Sequence, residues 1–309
     1  GFIKNFDTNA DYSTQEKYSK ANFRTNLDID LSPKTKMQAN IMGILNVTPD
    51  SFSDGGNYQS VDEAINRAKE MVKEGAHIID IGAESTNPNS KFVDEKEELE
   101  RLLPVITRLV KEIEVPISID TYKASVAKAC IEAGADIIND ITGFKGDKEM
   151  ARVVAENNVP CILMHMRGTP QNIHIETKYD DIIKEVSNEL QECIDIALKA
   201  GVKKENIILD PGIGFNKSVD ENIKLIDKLS ELKKLGYPIL MAASRKRFVG
   251  EILNASVNER VEGNLAVSVI SAREGAHIIR VHEVKETVKG LKIVNYIKKL
   301  NRNKGEIHG

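Results

Sequence analysis

Cysteine is scarce in this chain: three residues in 309, Cys130, Cys161 and Cys193, with no Cys-x-x-Cys among them. An odd number of well-separated cysteines excludes a disulfide framework and a thiolate zinc site as organising features. Each reads as a small core residue, and a reducing, cytoplasmic compartment is the expectation. No run of about 18 apolar residues occurs, so no membrane span is predicted. The opening residues, Gly-Phe-Ile-Lys-Asn, lack the apolar core of a secretory leader. Excess positive charge is missing too. Lys and Arg total 43 against 47 Asp and Glu, and the net charge of −4 offers no field for nucleic acid. Three catalytic signatures are absent: the Gly-x-x-x-x-Gly-Lys-[Ser/Thr] phosphate loop, the Gly-x-Ser-x-Gly elbow, and a Gly-x-Gly-x-x-Gly after the first strand.

What remains is a globular composition, 41% hydrophobic and 29% charged, able to bury a sizeable core. Residues 1–39 are polar and read as an N-terminal extension, with Leu27, Ile29 and Leu31 alternating like a short edge strand; residues 301–309 read as a tail. Between them, over residues 40–300, short apolar runs alternate with amphipathic stretches. Strands are predicted at 41–47, 77–82, 116–120, 136–140, 160–165, 206–210, 238–244 and 277–282. Helices are predicted at 61–74, 95–112, 123–133, 179–200, 220–235, 259–274 and 284–300. A weak repeat supports one reused unit: Glu-Gly-Ala-His-Ile-Ile-Asp at 74–80, Ala-Gly-Ala-Asp-Ile-Ile-Asn at 133–139 and Glu-Gly-Ala-His-Ile-Ile-Arg at 274–280. Each has a glycine at its second position that can cap a helix and then turns into a strand. The fold class is α/β, and eight such units fit a (β/α)8 TIM barrel; an open doubly wound sheet is the alternative.

A barrel carries its site at the carboxyl ends of the strands. Here those ends offer Asn46, Glu84, Asp120, Asn139 with Asp140, His165, Asp210, Ser244 leading into Lys246, and Arg280 with His282. Any one of these could be a strand cap or a salt bridge; together they suggest a polar pocket. Asp120, Asn139 and Asp210 suit a flat heterocycle with several donors along one edge. Lys246, Arg280 and His282 form a cationic half suited to an anion. His77 and His277 begin strands and fall at the opposite, structural end. The densest segment is 42–56, Met-Gly-Ile-Leu-Asn-Val-Thr-Pro-Asp-Ser-Phe-Ser-Asp-Gly-Gly, where a buried strand runs into a polar loop that can act as a lid.

That segment is joined by Ile-Gly-Ala-Glu-Ser-Thr at 81–86, Ile-Ser-Ile-Asp-Thr at 117–121, Ile-Ile-Asn-Asp at 137–140, Leu-Met-His-Met at 163–166, Asp-Pro-Gly-Ile-Gly-Phe at 210–215, Ser-Arg-Lys-Arg-Phe at 244–248 and Ile-Arg-Val-His at 279–282. In this order and at every strand end, they resemble the dihydropteroate synthases, folate-pathway enzymes that join a pterin to p-aminobenzoate. The resemblance implies a (β/α)8 barrel and an SN1-like condensation of 6-hydroxymethyl-7,8-dihydropterin pyrophosphate with p-aminobenzoate. It implies that Asp120, Asn139, Met164, Asp210, Gly214, Phe215, Lys246 and Arg280 hold the pterin, with Asp120, Asp210, Lys246 and Arg280 catalytic. Asn46, Thr86, Arg280 and His282 would hold the pyrophosphate. Phe52, Thr86, Pro88 and Lys246 would hold p-aminobenzoate. Magnesium would arrive with the pyrophosphate near Asn46. Sulfonamide inhibition and a homodimer are implied as well. One departure stands out: where the family has Arg-Pro-Gly after the threonine, this chain has Asn87-Pro88-Asn89. The implied consequence is an altered affinity for p-aminobenzoate and sulfonamides. Two rival readings share the barrel, a pterin-binding methyltransferase domain and a non-catalytic pterin-binding paralogue.

Overall fold

The computed structural model describes residues 39–48, 57–84, 93–173 and 175–305. The extension predicted over 1–39 lies outside them up to residue 38, as does the end of the tail from residue 306. Eight strands form one sheet: β1 (Asn40–Asn46), β2 (Ile78–Gly82), β3 (Ile117–Asp120), β4 (Ile137–Asp140), β5 (Cys161–Met164), β6 (Ile207–Asp210), β7 (Leu240–Met241) and β8 (Ile278–Val281). Their order is β6-β5-β4-β3-β2-β1-β8-β7, and every pairing is parallel. A bridge between Leu209 and Ile239, with a 2.9 Å bond from Leu209 N–H to the Pro238 carbonyl, brings β6 to β7. Each strand thus neighbours the next in sequence and the last rejoins the first, which rules out the open doubly wound sheet.

The helices between the strands are α1 (Asn57–Glu74), α2 (Glu95–Glu112), α3 (Ala124–Ala133), α4 (Met150–Asn157), α5 (Ile182–Lys199), α6 (Val219–Asp227), α7 (Leu229–Leu232), α8 (Arg247–Leu253), α9 (Val261–Glu274) and α10 (Val284–Gly305). The single helix predicted over 220–235 is broken. Its backbone leaves helical geometry at Lys228 (φ −104°, ψ 25°), and α7 and a 3₁₀ turn follow. The apolar period runs through that break, since Leu225, Leu229 and Leu232 are all buried, so the pattern gives no warning. Helices α4 and α8 were not expected; at eight and seven residues they are too short to show much periodicity. The final helix continues to Gly305, past the predicted boundary at 300.

Strand alternation divides the core into two shells. Ile79, Ile81, Ile117, Ile119, Ile138, Leu163, Leu209 and Ile279 pack outward against the helices. The alternate residues Met42, Ile44, Ile78, Ile137, Ile162, Ile208, Leu240 and Ile278 are equally buried and fill the barrel interior.

The repeat works as a device that starts strands. Its glycines, Gly75, Gly134 and Gly275, take φ of 110°, 111° and 105°, the left-handed helix ends that glycine favours. The alanine that follows each returns its N–H to the last turn of the helix, Ala76 to Met71, Ala135 to Cys130 and Ala276 to Ser271. The fourth residue then accepts a backbone N–H at the foot of a neighbouring strand: Ile41 to His77 Nδ1 (3.0 Å), Ile117 to Asp136 Oδ2 (3.0 Å) and Ile239 to His277 Nδ1 (3.1 Å). Burial lowers the pKa of both histidines, that of His277 to about 4, which keeps the acceptor nitrogens unprotonated. These two residues therefore serve the structural end of the barrel.

Candidate active site

The seventh residues of the three repeats are Asp80, Asn139 and Arg280, on β2, β4 and β8. Side chains from alternate strands share a layer inside such a barrel, so these three belong together. They meet: Arg280 Nε donates to Asp80 Oδ2 at 2.6 Å, and Asn139 Nδ2 donates to the same oxygen at 3.1 Å. Arg280 also reaches up to Asp120 Oδ2 (2.7 Å), at the carboxyl end of β3. Reading only strand ends missed Asp80, which stands mid-strand between isoleucines. The signal lay in the repeat, where the same slot carries Asp, Asn and Arg.

Across the mouth lies a second group. Asp210 ends β6, and its Oδ1 accepts the N–H of Gly212 (2.7 Å), folding the Asp-Pro-Gly-Ile-Gly-Phe turn over the strand end. Gly214 (φ 83°) is required there, since a Cβ would stand 2.8 Å from Lys246 Cδ. Lys246 sits with its ammonium 3.2 Å from the centroid of the Phe215 ring. Met164 and Phe215 pack with Ile141 and Ile173 as an apolar wall. Burial raises the pKa of Asp210 and of Asp120, the latter to about 7, despite the opposing pull of Arg280; the charge of Asp80 adds to the rise at Asp120. Burial also lowers the pKa of Lys246, and Arg280 beside it acts in the same direction.

Behind the turn a buried strut holds its shape. Lys217 Nζ donates to the carbonyls of Gly212 and Phe215 and to His165 Nδ1, each at 3.0 Å. Three acceptors match the three N–H groups of an ammonium, although burial lowers its pKa to about 7. His165 Nε2 then donates to Glu189 Oε2 (2.9 Å). Burial and the adjacent Lys217 hold the His165 pKa near 4, so this ring is neutral and does not form an ion pair with Glu189. Arg167 binds Glu189 and Glu185 and lies 3.8 Å from the centroid of the Tyr179 ring.

Three strand-end expectations need correction. Glu84 turns aside to Lys123 Nζ (2.6 Å) and the Tyr122 hydroxyl (3.2 Å). Asp140 points to the opposite face from Asn139 and accepts from Thr142 N–H, Thr142 Oγ1 and Phe144 N–H, fixing a turn. His282 is not part of a cationic half: burial and the nearby Arg245, Arg280 and Lys246 lower its pKa to about 3, and its Nδ1 faces Ser244 Oγ at 3.0 Å. Asn46 is exposed at the end of β1. Thr86, Phe52 and Pro88 lie outside the described residues, as do Asn87 and Asn89. Among the described residues no group of three His, Cys, Asp or Glu side chains could hold a metal ion. The exposed amide oxygen of Asn46 fits magnesium only as one ligand to an ion carried in on phosphate oxygens.

Comparison with known proteins gives the family. Residues 42–282 match the family model described as pterin binding enzyme. The dihydropteroate synthase of Bacillus subtilis is 50% identical over 268 residues, which cover 87% of this chain and 90% of that enzyme. Among solved structures, a dihydropteroate synthase from Clostridium difficile in the presence of pteroic acid is 45% identical, with a TM-score of 0.80 over 84% of this chain and 97% of that one. The Xanthomonas albilineans dihydropteroate synthase with 4-aminobenzoic acid is 40% identical, with a TM-score of 0.80 over 84% of this chain and 93% of that one. The Yersinia pestis dihydropteroate synthase in complex with a sulfonamide drug is 42% identical, with a TM-score of 0.80 over 85% of this chain and 95% of that one. The chain belongs to the dihydropteroate synthases, within the pterin-binding enzyme family.

Proposed function

We propose that this protein condenses 6-hydroxymethyl-7,8-dihydropterin pyrophosphate with p-aminobenzoate to give 7,8-dihydropteroate and pyrophosphate. The observation that carries the reading is the pairing of two carboxylates with two cations, each buried or half-buried, at one barrel mouth. Asp120 is tied to Arg280, and Asp210 stands within the field of Lys246, which lies over Phe215. Asp120, Asn139 and Asp210 accept from or orient the donor edge of the pterin, and Met164 and Phe215 line its apolar face.

The chemistry follows from charge. The bond from the pterin methylene to the pyrophosphate oxygen breaks, and its electron pair leaves with the pyrophosphate. The carboxylates favour the cationic methylene that remains, while Arg280 favours the departing anion. The nitrogen lone pair of p-aminobenzoate then forms the C–N bond, and the nitrogen releases a proton to solvent. No tuned general base is needed, because an aniline nitrogen is unprotonated at neutral pH. Magnesium would supply further charge neutralisation on the pyrophosphate, held in part by Asn46. With pyrophosphate bound, a nearby anion favours protonation of His282, giving it the anion-binding role denied to it in the free protein.

Sulfonamides, as analogues of p-aminobenzoate, are the matching inhibitor class, in line with the Yersinia relative. A cytoplasmic location fits the three free, buried cysteines, and no described helix is long and apolar enough to cross a membrane. A homodimer fits an exposed apolar stripe on α10, Ile293, Tyr296, Ile297 and Leu300, beside the exposed Ile270 of α9.

The direct test is pyrophosphate release on mixing the two substrates. Asp210→Ala is expected to weaken pterin binding on the order of 100-fold, the cost of losing charge-assisted hydrogen bonds in a buried site. Turnover near the wild-type level in that variant would remove Asp210 from the reaction. Pterin binding without pyrophosphate release by the wild type would mark a binder rather than a synthase.

A further inference from the structure

We infer that Asp80 is the positioning residue that aims Arg280, fixing the guanidinium from beneath while Asp120 is left able to turn to the substrate. Arg280 is held by two carboxylates of different standing. Asp120 lies at the strand end with 19% of its side chain exposed, facing the mouth. Asp80 is fully buried; it lies beside Ser118, two residues before Asp120, whose own neighbour on β2 is Gly82. From that depth Asp80 cannot reach a ligand at the rim, yet it takes the Nε–H of Arg280 at 2.6 Å.

The two contacts divide the guanidinium. Nε and one terminal nitrogen are engaged by protein, which sets the plane of the group, and the other terminal nitrogen has no carboxylate partner among the described residues. When a pterin claims the Asp120 carboxylate, the Nε bond still fixes the plane. Without Asp80, a ligand that drew Asp120 away would release the arginine that must meet its pyrophosphate. Asn139 is tied to the same anchor, because its amide donates to the same Oδ2. The other oxygen, Oδ1, is buried with no hydrogen-bond partner among the described residues, so both bonds depend on one atom. One carboxylate thus orients two pocket residues from two different strands, the cation and the amide. A displacement of about 1 Å at such a group can cost on the order of 100-fold in rate.

This role rests on Arg280 serving the pterin pyrophosphate, as proposed above, and the test separates the two. Asp80→Asn keeps an acceptor of the same shape and removes the charge. It is expected to lower kcat/KM for the pterin substrate about 10- to 100-fold while leaving the KM for p-aminobenzoate within about twofold. Removing one partner of a buried pair can destabilise the fold, so the deciding comparison is Arg280→Met with and without Asp80→Asn, where both charges leave together. Pterin pyrophosphate affinity, titrated calorimetrically without p-aminobenzoate, and kcat/KM are expected to fall by no more than about threefold from the Arg280→Met single variant to the double variant, the share carried by the Asn139 contact. If Asp80→Asn lowers either quantity a further tenfold in the Arg280→Met background, or leaves the wild-type background unchanged, Asp80 does not act through Arg280. A wild type that binds the pterin pyrophosphate, shows this coupling in affinity and makes no product would retain the Asp80 role and reject the synthase reading.

Discussion

At the scale of single residues, the site is built by charges that burial makes conditional. Glu189 is the clearest case. Burial alone would raise its pKa, but hydrogen bonds from His165 and Arg167 outweigh that and lower it to about 2. A carboxylate with a depressed folded pKa contributes stability above its unfolded value, near 4.5, and loses it as pH falls toward 2. The contribution is on the order of 3 kcal/mol, since each unit is worth about 1.4 kcal/mol and the side chain is 23% exposed. Urea midpoints measured at pH 7, 4 and 3 should therefore fall steeply in the wild type. In Glu189→Gln the stability at pH 7 should be lower and its dependence over that interval shallower. Because Glu189 supports His165, and His165 supports Lys217, acid should loosen the Gly212–Phe215 turn before it reaches the rest of the barrel.

At the scale of elements, α9 and α10 carry the surface that most needs a partner. Ile293 and Tyr296 are each 65% exposed, and Ile297 and Leu300 continue the same face at helical spacing. For the homodimer proposed above, the wild type should sediment as a dimer at micromolar concentration, and Ile293→Glu combined with Ile297→Glu should shift the mass to that of a monomer. An unchanged mass would reject this face as the surface of the proposed dimer. This scale also shows what sequence can and cannot reveal. Strand positions were legible because their apolar runs are short and bounded, and the barrel because its repeat fuses a helix end, a turn and a strand start. Asp80 was not, because a carboxylate inside an isoleucine-rich strand has no local mark; only comparing the three repeats exposes it. Glu84 and Asp140 resembled pocket residues, since sequence shows that a carboxylate ends a strand without showing whether it faces inward. The break at Lys228 has no proline or glycine to announce it, so the chain turns there for the sake of tertiary packing.

At the scale of the whole molecule, the charged groups of the mouth come from strands on every side of the barrel. Asp120 lies on one side, next to the neutral amide of Asn139, and Arg280 on another, while Asp210 and Lys246 flank the junction of β6 and β7. That junction is the least secured of the eight. It has one bridge and no ladder, and β7 is only two residues long. A barrel opens first where its hydrogen bonds are fewest, so this seam sets the lowest local free energy of opening in the sheet. A pterin held by Asp210 on one lip and Lys246 on the other would close the seam like a clasp, adding up to about 2.7 kcal/mol at a hundredfold excess over Kd. In amide hydrogen exchange, saturating pterin pyrophosphate should slow Leu209, which bonds across the seam, far more than Ile138, which bonds between β4 and β5. Equal protection at both amides would show that the seam is already as firm as the rest. Slowing confined to Leu209 and its neighbours would mean that substrate completes the cylinder, so that the enzyme is most fully folded while it is at work.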